Sequence, residues 1–146
     1  MKACTFFGHS ELYENIEGRL EEVMRQLIEK ESVSVFYVGN HGMFDGVVRG
    51  LLYKLMSEYK HLSCYTVLAY LPKTKETNSC LETLFPEGIE KVPPRFAINY
   101  RNRWMVENSQ YVVVYVINSF GGAAAFKSLA EKKGKTVINI GKTQPE

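Results

Sequence analysis

The run YVVVYVI at residues 111–117 constrains the fold of this chain more than any other stretch. Its β-branched and aromatic content is nearly unbroken, so the strand it forms has no polar face to turn to water and has to be covered on both sides. Shorter runs at residues 3–7, 33–38, 65–71 and 137–140 also read as strands. Between them the apolar spacing changes to that of helices. Leu12, Ile16, Leu20, Val23 and Leu27 form one stripe, and Phe44, Val47, Val48, Leu51, Leu52, Leu55 and Tyr59 form a second. A third helix is expected at about residues 95–108. A fourth is opened by Gly121-Gly122 and closed by Lys132-Lys133-Gly134, with basic residues at the negative end of the dipole and a left-handed glycine cap. Strands alternating with helices along the whole chain imply right-handed βαβ crossovers. The expected fold is α/β and Rossmann-like, with a mostly parallel sheet of about five strands, helices on both faces, and one domain over residues 1–146. The segment between Pro72 and Pro93-Pro94 is long for a connection in a compact domain, and reads as a lid or a decorated surface loop.

A chain of 146 residues buries roughly 70% of its unfolded surface. The formal charge of +2 gives no field that calls for nucleic acid or a membrane surface. Cys4, Cys64 and Cys80 form no CxxC pair and read as free thiols in a reducing compartment. The opening residues, MKACTFFGHSEL, have the pattern of neither a signal peptide nor a membrane span, so a cytoplasmic protein is expected.

Three glycine-bearing turns follow strand ends: Gly8-His9-Ser10, Gly39 to Gly42, and Gly121-Gly122-Ala123. Glycine there lets the backbone approach a ligand, and a following helix offers free N–H groups to an anion. The dinucleotide fingerprint GxGxxG and the Gly-Lys-Ser/Thr phosphate loop are both absent. Arg101 stands on the core-facing stripe of its helix beside Ala97, Trp104, Met105 and Asn108, and a guanidinium in that position has to find an anion. A ligand phosphate or an internal ion pair with Asp45 would each satisfy it. Arg103 points outward. His9 is either a phosphate donor or a structural hydrogen-bonding group, and Ser10 either caps the first helix or touches the ligand. Asp45 lies in the first turn of the second helix, where it stabilises the dipole, bonds a ribose hydroxyl or transfers a proton. His41 and His61 carry less weight, no spacing resembles a metal site, and no cofactor is implied. Trp104 and Tyr115 read as core, and residues 73–77 as a solvated loop.

Taken together, Thr5-Phe6-Phe7-Gly8-His9-Ser10, Gly39-Asn40-His41-Gly42-Met43-Phe44-Asp45, Arg101-Asn102-Arg103-Trp104-Met105 and Gly121-Gly122-Ala123 resemble the SLOG superfamily over nearly the whole chain. This Rossmann-like group includes the Lonely Guy phosphoribohydrolases and the DNA-processing protein Smf, and the likeness is strongest to a bacterial subgroup of it. The resemblance implies a nucleotide-type ligand and a homodimer. It also implies a site made of Gly8, His9, Ser10, Gly39, Asn40, Gly42, Asp45, Arg101, Gly121, Gly122 and Ala123. Two departures weaken an enzymatic reading. Ser10 replaces the subgroup's arginine, and Lys127 and Ser128 stand where the phosphoribohydrolases carry catalytic glutamates. Binding of a nucleotide or nucleotide-derived phosphorylated ligand, as a sensor or binding module, is therefore expected first. A nucleoside-monophosphate N-glycosidase with a relocated acid, Asp45 or Glu107, is the alternative. No nucleic-acid partner is expected.

Overall fold

The computed structural model describes residues 1–71 and 81–141. Six strands form a single sheet: β1 (Lys2–Gly8), β2 (Val33–Val38), β3 (Ser63–Val67), β4 (Glu82–Leu84), β5 (Tyr111–Tyr115) and β6 (Thr136–Asn139). All pairings are parallel, and the order across the sheet is β4-β3-β2-β1-β5-β6. Four helices connect them: α1 (Glu17–Glu29), α2 (Gly42–Glu58), α3 (Pro94–Glu107) and α4 (Gly122–Lys132).

Helices α1 and α2 bury Leu20, Met24, Phe44, Val48 and Leu52 against one face of the sheet. On the other face, α3 and α4 bury Met105, Val106 and Ala130 against Phe7, Val112 and Val114. β5 is therefore covered on both sides, Val113 and Tyr115 facing the first core and Val112 and Val114 the second. This is the placement its unbroken apolar run demands. Trp104 packs edge-on to Tyr37, and Tyr115 is fully buried. Among the described residues no helix is long and apolar enough to cross a membrane.

The structure corrects several boundaries. Leu12 and Ile16 are not part of α1, which begins at Glu17. They sit in the preceding loop and pack onto the same core, so their i, i+4 spacing arises from loop residues folding inward. Ser10 consequently does not cap α1. The N-cap position is Ile16, which makes no side-chain cap bond, and the amide of Glu17 donates to Asn15 Oδ1 at 3.1 Å. β5 stops at Tyr115 because side chains replace the ladder beyond it. Val116 exchanges two bonds with the Asn139 amide, and the Ile117 N–H donates to His9 Nε2 at 3.1 Å. β3 ends at Val67, short of residue 71. The sixth strand, β4, comes from the segment first read as a connection, where three residues, Glu-Thr-Leu, give too short a pattern to register. The lysines and threonines of residues 73–77 lie outside the described residues.

Candidate functional site

Strand order reverses between β1 and β5. The chain runs outward from β1 through β4, then returns to the other side of β1 for β5 and β6. The two loops that leave this point lead to helices on opposite faces, α1 and α4, so they part and leave a crevice beyond the strand ends. A cleft of about 440 Å³ occupies it. Its walls are the β1–α1 loop, the β5–α4 loop, the start of α2 at His41 and Asp45, and one stripe of α3 formed by Ile98, Arg101, Asn102 and Met105, the i, i+3, i+4, i+7 spacing of a helix face.

Arg101 is only 2% exposed. Its Nη1 donates to Asn40 Oδ1 at 3.0 Å and to the Val67 carbonyl at 3.3 Å, and its Nε donates to Asn102 Oδ1 at 2.9 Å. Nη2 has no acceptor among the described residues, and no carboxylate there comes within ion-pair distance. The ion pair with Asp45 left open by the sequence is thus not made. Burial pushes the guanidinium's pKa down, opposed by the field of Asp45 and then Tyr70, and the group remains charged.

Asp45 is 9% exposed, and its Oδ2 accepts the His41 N–H at 3.1 Å. Burial raises its pKa to about 6, against the opposing pull of that N–H, Arg101 and Arg49. Gly39 lies between the two charged groups. A Cβ there would stand 2.8 Å from Asp45 Oδ2 and 3.3 Å from Arg101 Cζ, so glycine is what allows both to crowd this strand end. Arg49 ties the same turn by donating from Nη1 to the Gly39 carbonyl at 2.9 Å.

The two helix N-termini near the crevice differ. At α2 the donors are largely consumed by the protein. Asp45 takes the His41 N–H, and the Ser10 carbonyl accepts the Met43 N–H at 2.7 Å. Gly42, at φ +82°, packs against Ser10, whose Cα a Cβ would meet at 2.7 Å. At α4 the N–H groups of Gly122, Ala123 and Ala124 have no acceptor among the described residues, and no side chain caps the helix. Gly121, at φ +93°, turns the chain into this helix, and the space beside both Gly121 and Gly122 is open. Gly8 is different again, since its missing side chain is filled by the Phe44 ring, 2.3 Å from where a Cβ would stand. That glycine seats α2 on β1, although its backbone also faces the cleft.

Of the residues expected at the site, Gly8, His9, Ser10, Asp45, Arg101, Gly121, Gly122 and Ala123 line the cleft. Gly39, Asn40 and Gly42 stand behind it, supporting Asp45, Arg101 and Ser10. His9 holds β5's exit through Nε2, which accepts the Ile117 N–H hydrogen bond, so the ring hydrogen of this tautomer sits on Nδ1. Glu107 is exposed, pairs with Lys133 Nζ at 3.4 Å and does not line the cleft. Lys127 bonds Glu131 along α4. Tyr13, Phe120, Asn102 and Ile98 also form walls. Of these, only the two on α3 had a sequence signal, their helical spacing from Arg101. Among the described residues no group of three His, Cys, Asp or Glu side chains could hold a metal ion.

An all-parallel sheet, helices on both faces and a cleft at the strand-order reversal define a doubly wound, Rossmann-like α/β protein. No protein-family model and no curated protein matches the chain. Among solved structures it is similar to the X-ray structure of DNA processing protein A (DprA) from Streptococcus pneumoniae, with a TM-score of 0.68 at 15% identity. The match covers 94% of this chain and 50% of that one, so the chain spans half the length of its structural neighbour. The likeness is one of fold, a Rossmann-like α/β sheet covered by helices on both faces.

Proposed function

We propose that this chain binds a nucleotide-type ligand in the cleft at the carboxyl edge of the sheet, acting as a sensor or binding module, with the ligand's phosphate between Arg101 and the N-terminus of α4. One observation carries the reading. A buried guanidinium with a free Nη2 and no carboxylate partner among the described residues lines the same cleft as Gly122 and Ala123, whose helix amides are free. Burying a charge is costly unless something compensates it, and both features are complementary to an anion. Thermal-shift measurements with nucleoside monophosphates test this. Wild type is expected to melt higher in their presence, and Arg101→Met is expected to melt near the ligand-free wild-type temperature but lose the shift. A shift that survives in Arg101→Met would remove the proposal.

The N-glycosidase reading is supported by one feature, the Asp45 carboxyl. A pKa of about 6 in the cleft keeps a transferable proton available near neutral pH. Chromatography of nucleoside monophosphates incubated with the protein distinguishes the readings. Free base that disappears with Asp45→Asn supports the enzyme, and intact nucleotide after long incubation leaves binding alone.

A further inference from the structure

Two aromatic rings at the cleft have no packing task that accounts for them. Tyr13, in the β1–α1 loop, is 70% exposed, and Phe120, in the β5–α4 loop, is 72% exposed. Neither belongs to either hydrophobic cluster, yet both line the same cleft as Arg101. An aromatic side chain left in water forgoes the burial a core would give it. Local bonds set the two loops. The Tyr13 hydroxyl donates to Glu11 Oε2 at 3.2 Å, and the Phe120 N–H donates to Asn118 Oδ1 at 3.3 Å.

We propose that Tyr13 and Phe120 flank a planar heteroaromatic ring of the ligand, a nucleobase, and so select base-bearing phosphates over sugar phosphates. This rests on the phosphate reading above. The two loops leave neighbouring strand ends, so a ring held between them lies over the crevice that receives the phosphate. Phe120 directly precedes Gly121, whose φ of +93° turns the chain into the free amides of α4, which puts a stacking surface one residue from the anion donors. Every base offers a π-face, so such a pair holds a base without hydrogen-bond readout. A volume of about 440 Å³ lies near the small end of ligand pockets, roughly 300–1,000 Å³, and suits one nucleotide better than two.

Calorimetric titration of the full chain with AMP and with ribose 5-phosphate tests the assignment. AMP is expected to bind roughly tenfold more tightly than ribose 5-phosphate. Tyr13→Ala and Phe120→Ala should each weaken AMP by a factor of about five or more and leave ribose 5-phosphate nearly unchanged, while Tyr13→Phe retains AMP affinity. Both side chains are exposed, so the variants are expected to fold, and melting curves check that. Equal affinity for the two ligands, or alanine variants that bind AMP as wild type does, overturns the ring assignment and leaves the phosphate reading standing. If neither ligand binds, both readings fall. Alanine variants that change the molecular mass in light scattering but not the AMP affinity would assign the rings to a subunit contact and overturn the proposal.

Discussion

Gly39 is the point at which the two charged groups of the site approach each other, and its environment predicts what small changes do. Gly39→Ala would bring a methyl group 2.8 Å from Asp45 Oδ2 and 3.3 Å from Arg101 Cζ, so it displaces both groups. We expect nucleotide affinity to fall by about tenfold or more in calorimetry, with a stability loss of about 1–3 kcal/mol in denaturant melts. Asp45 makes the site pH-dependent. Its pKa in the fold, about 6, lies above the ordinary 3.8, so the folded chain holds the extra proton between those values. Asp45's contribution to stability should therefore decline as pH rises from about 4 to about 6, by about 3 kcal/mol, and Asp45→Asn should remove that contribution from the pH profile. Below pH 6 the neutral carboxyl no longer offsets Arg101. Sulfate, whose charge is constant across this range, should itself bind more tightly at about pH 5 than at about pH 7 in direct titration, and the difference should shrink in Asp45→Asn. Arg101 was legible in the sequence because a charge interrupted an apolar stripe. Its freedom from Asp45 was not, since that depends on where Asn40 and the Val67 carbonyl fall in space.

Helices α2 and α4 both begin at a glycine beyond a strand, and sequence alone could not tell their N-termini apart. The difference is tertiary. The β1–α1 loop folds over the start of α2 and contributes the Ser10 carbonyl, whereas nothing described covers the start of α4. Proline is well tolerated at the first position of a helix, where its missing N–H breaks no internal bond. Gly122→Pro therefore removes one amide donor while keeping α4, and Gly122→Ala adds comparable bulk next to the backbone but keeps the donor. The proline variant is expected to bind AMP about tenfold more weakly than the alanine variant, as befits one hydrogen bond to a charged group. Equal affinities would argue that α4's amides do not hold the phosphate. Elements with long runs, such as β5 and α2, were readable from spacing. The start of α1 was not, because a loop residue facing the core mimics a helical one. The three-residue β4 was not either, because its edge position comes from pairing with β3 and not from its own composition.

At the scale of the whole molecule, the alternation of strands and helices already implied a parallel sheet with a ligand crevice, and the structure locates that crevice between β1 and β5. The residues brought together there come from three stretches far apart in sequence, around Gly8, Asp45 and Arg101 to Ala123, which only the strand order assembles. Oligomeric state is a property of this scale too. The resemblance to the phosphoribohydrolases leads us to propose a homodimer, so light scattering after size exclusion should give twice the 16.7 kDa chain mass, and a monomer mass would remove the dimer from the account. The central claim is that Arg101 and the start of α4 form one phosphate site, and a crystal structure of the chain with bound AMP tests it most directly. Phosphate oxygens are expected within hydrogen-bonding distance of Arg101 Nη2 and of the amides of Gly122 and Ala123. Phosphate bound away from the β1/β5 crevice, or Arg101 paired with Asp45 while the ligand sits elsewhere, would contradict it.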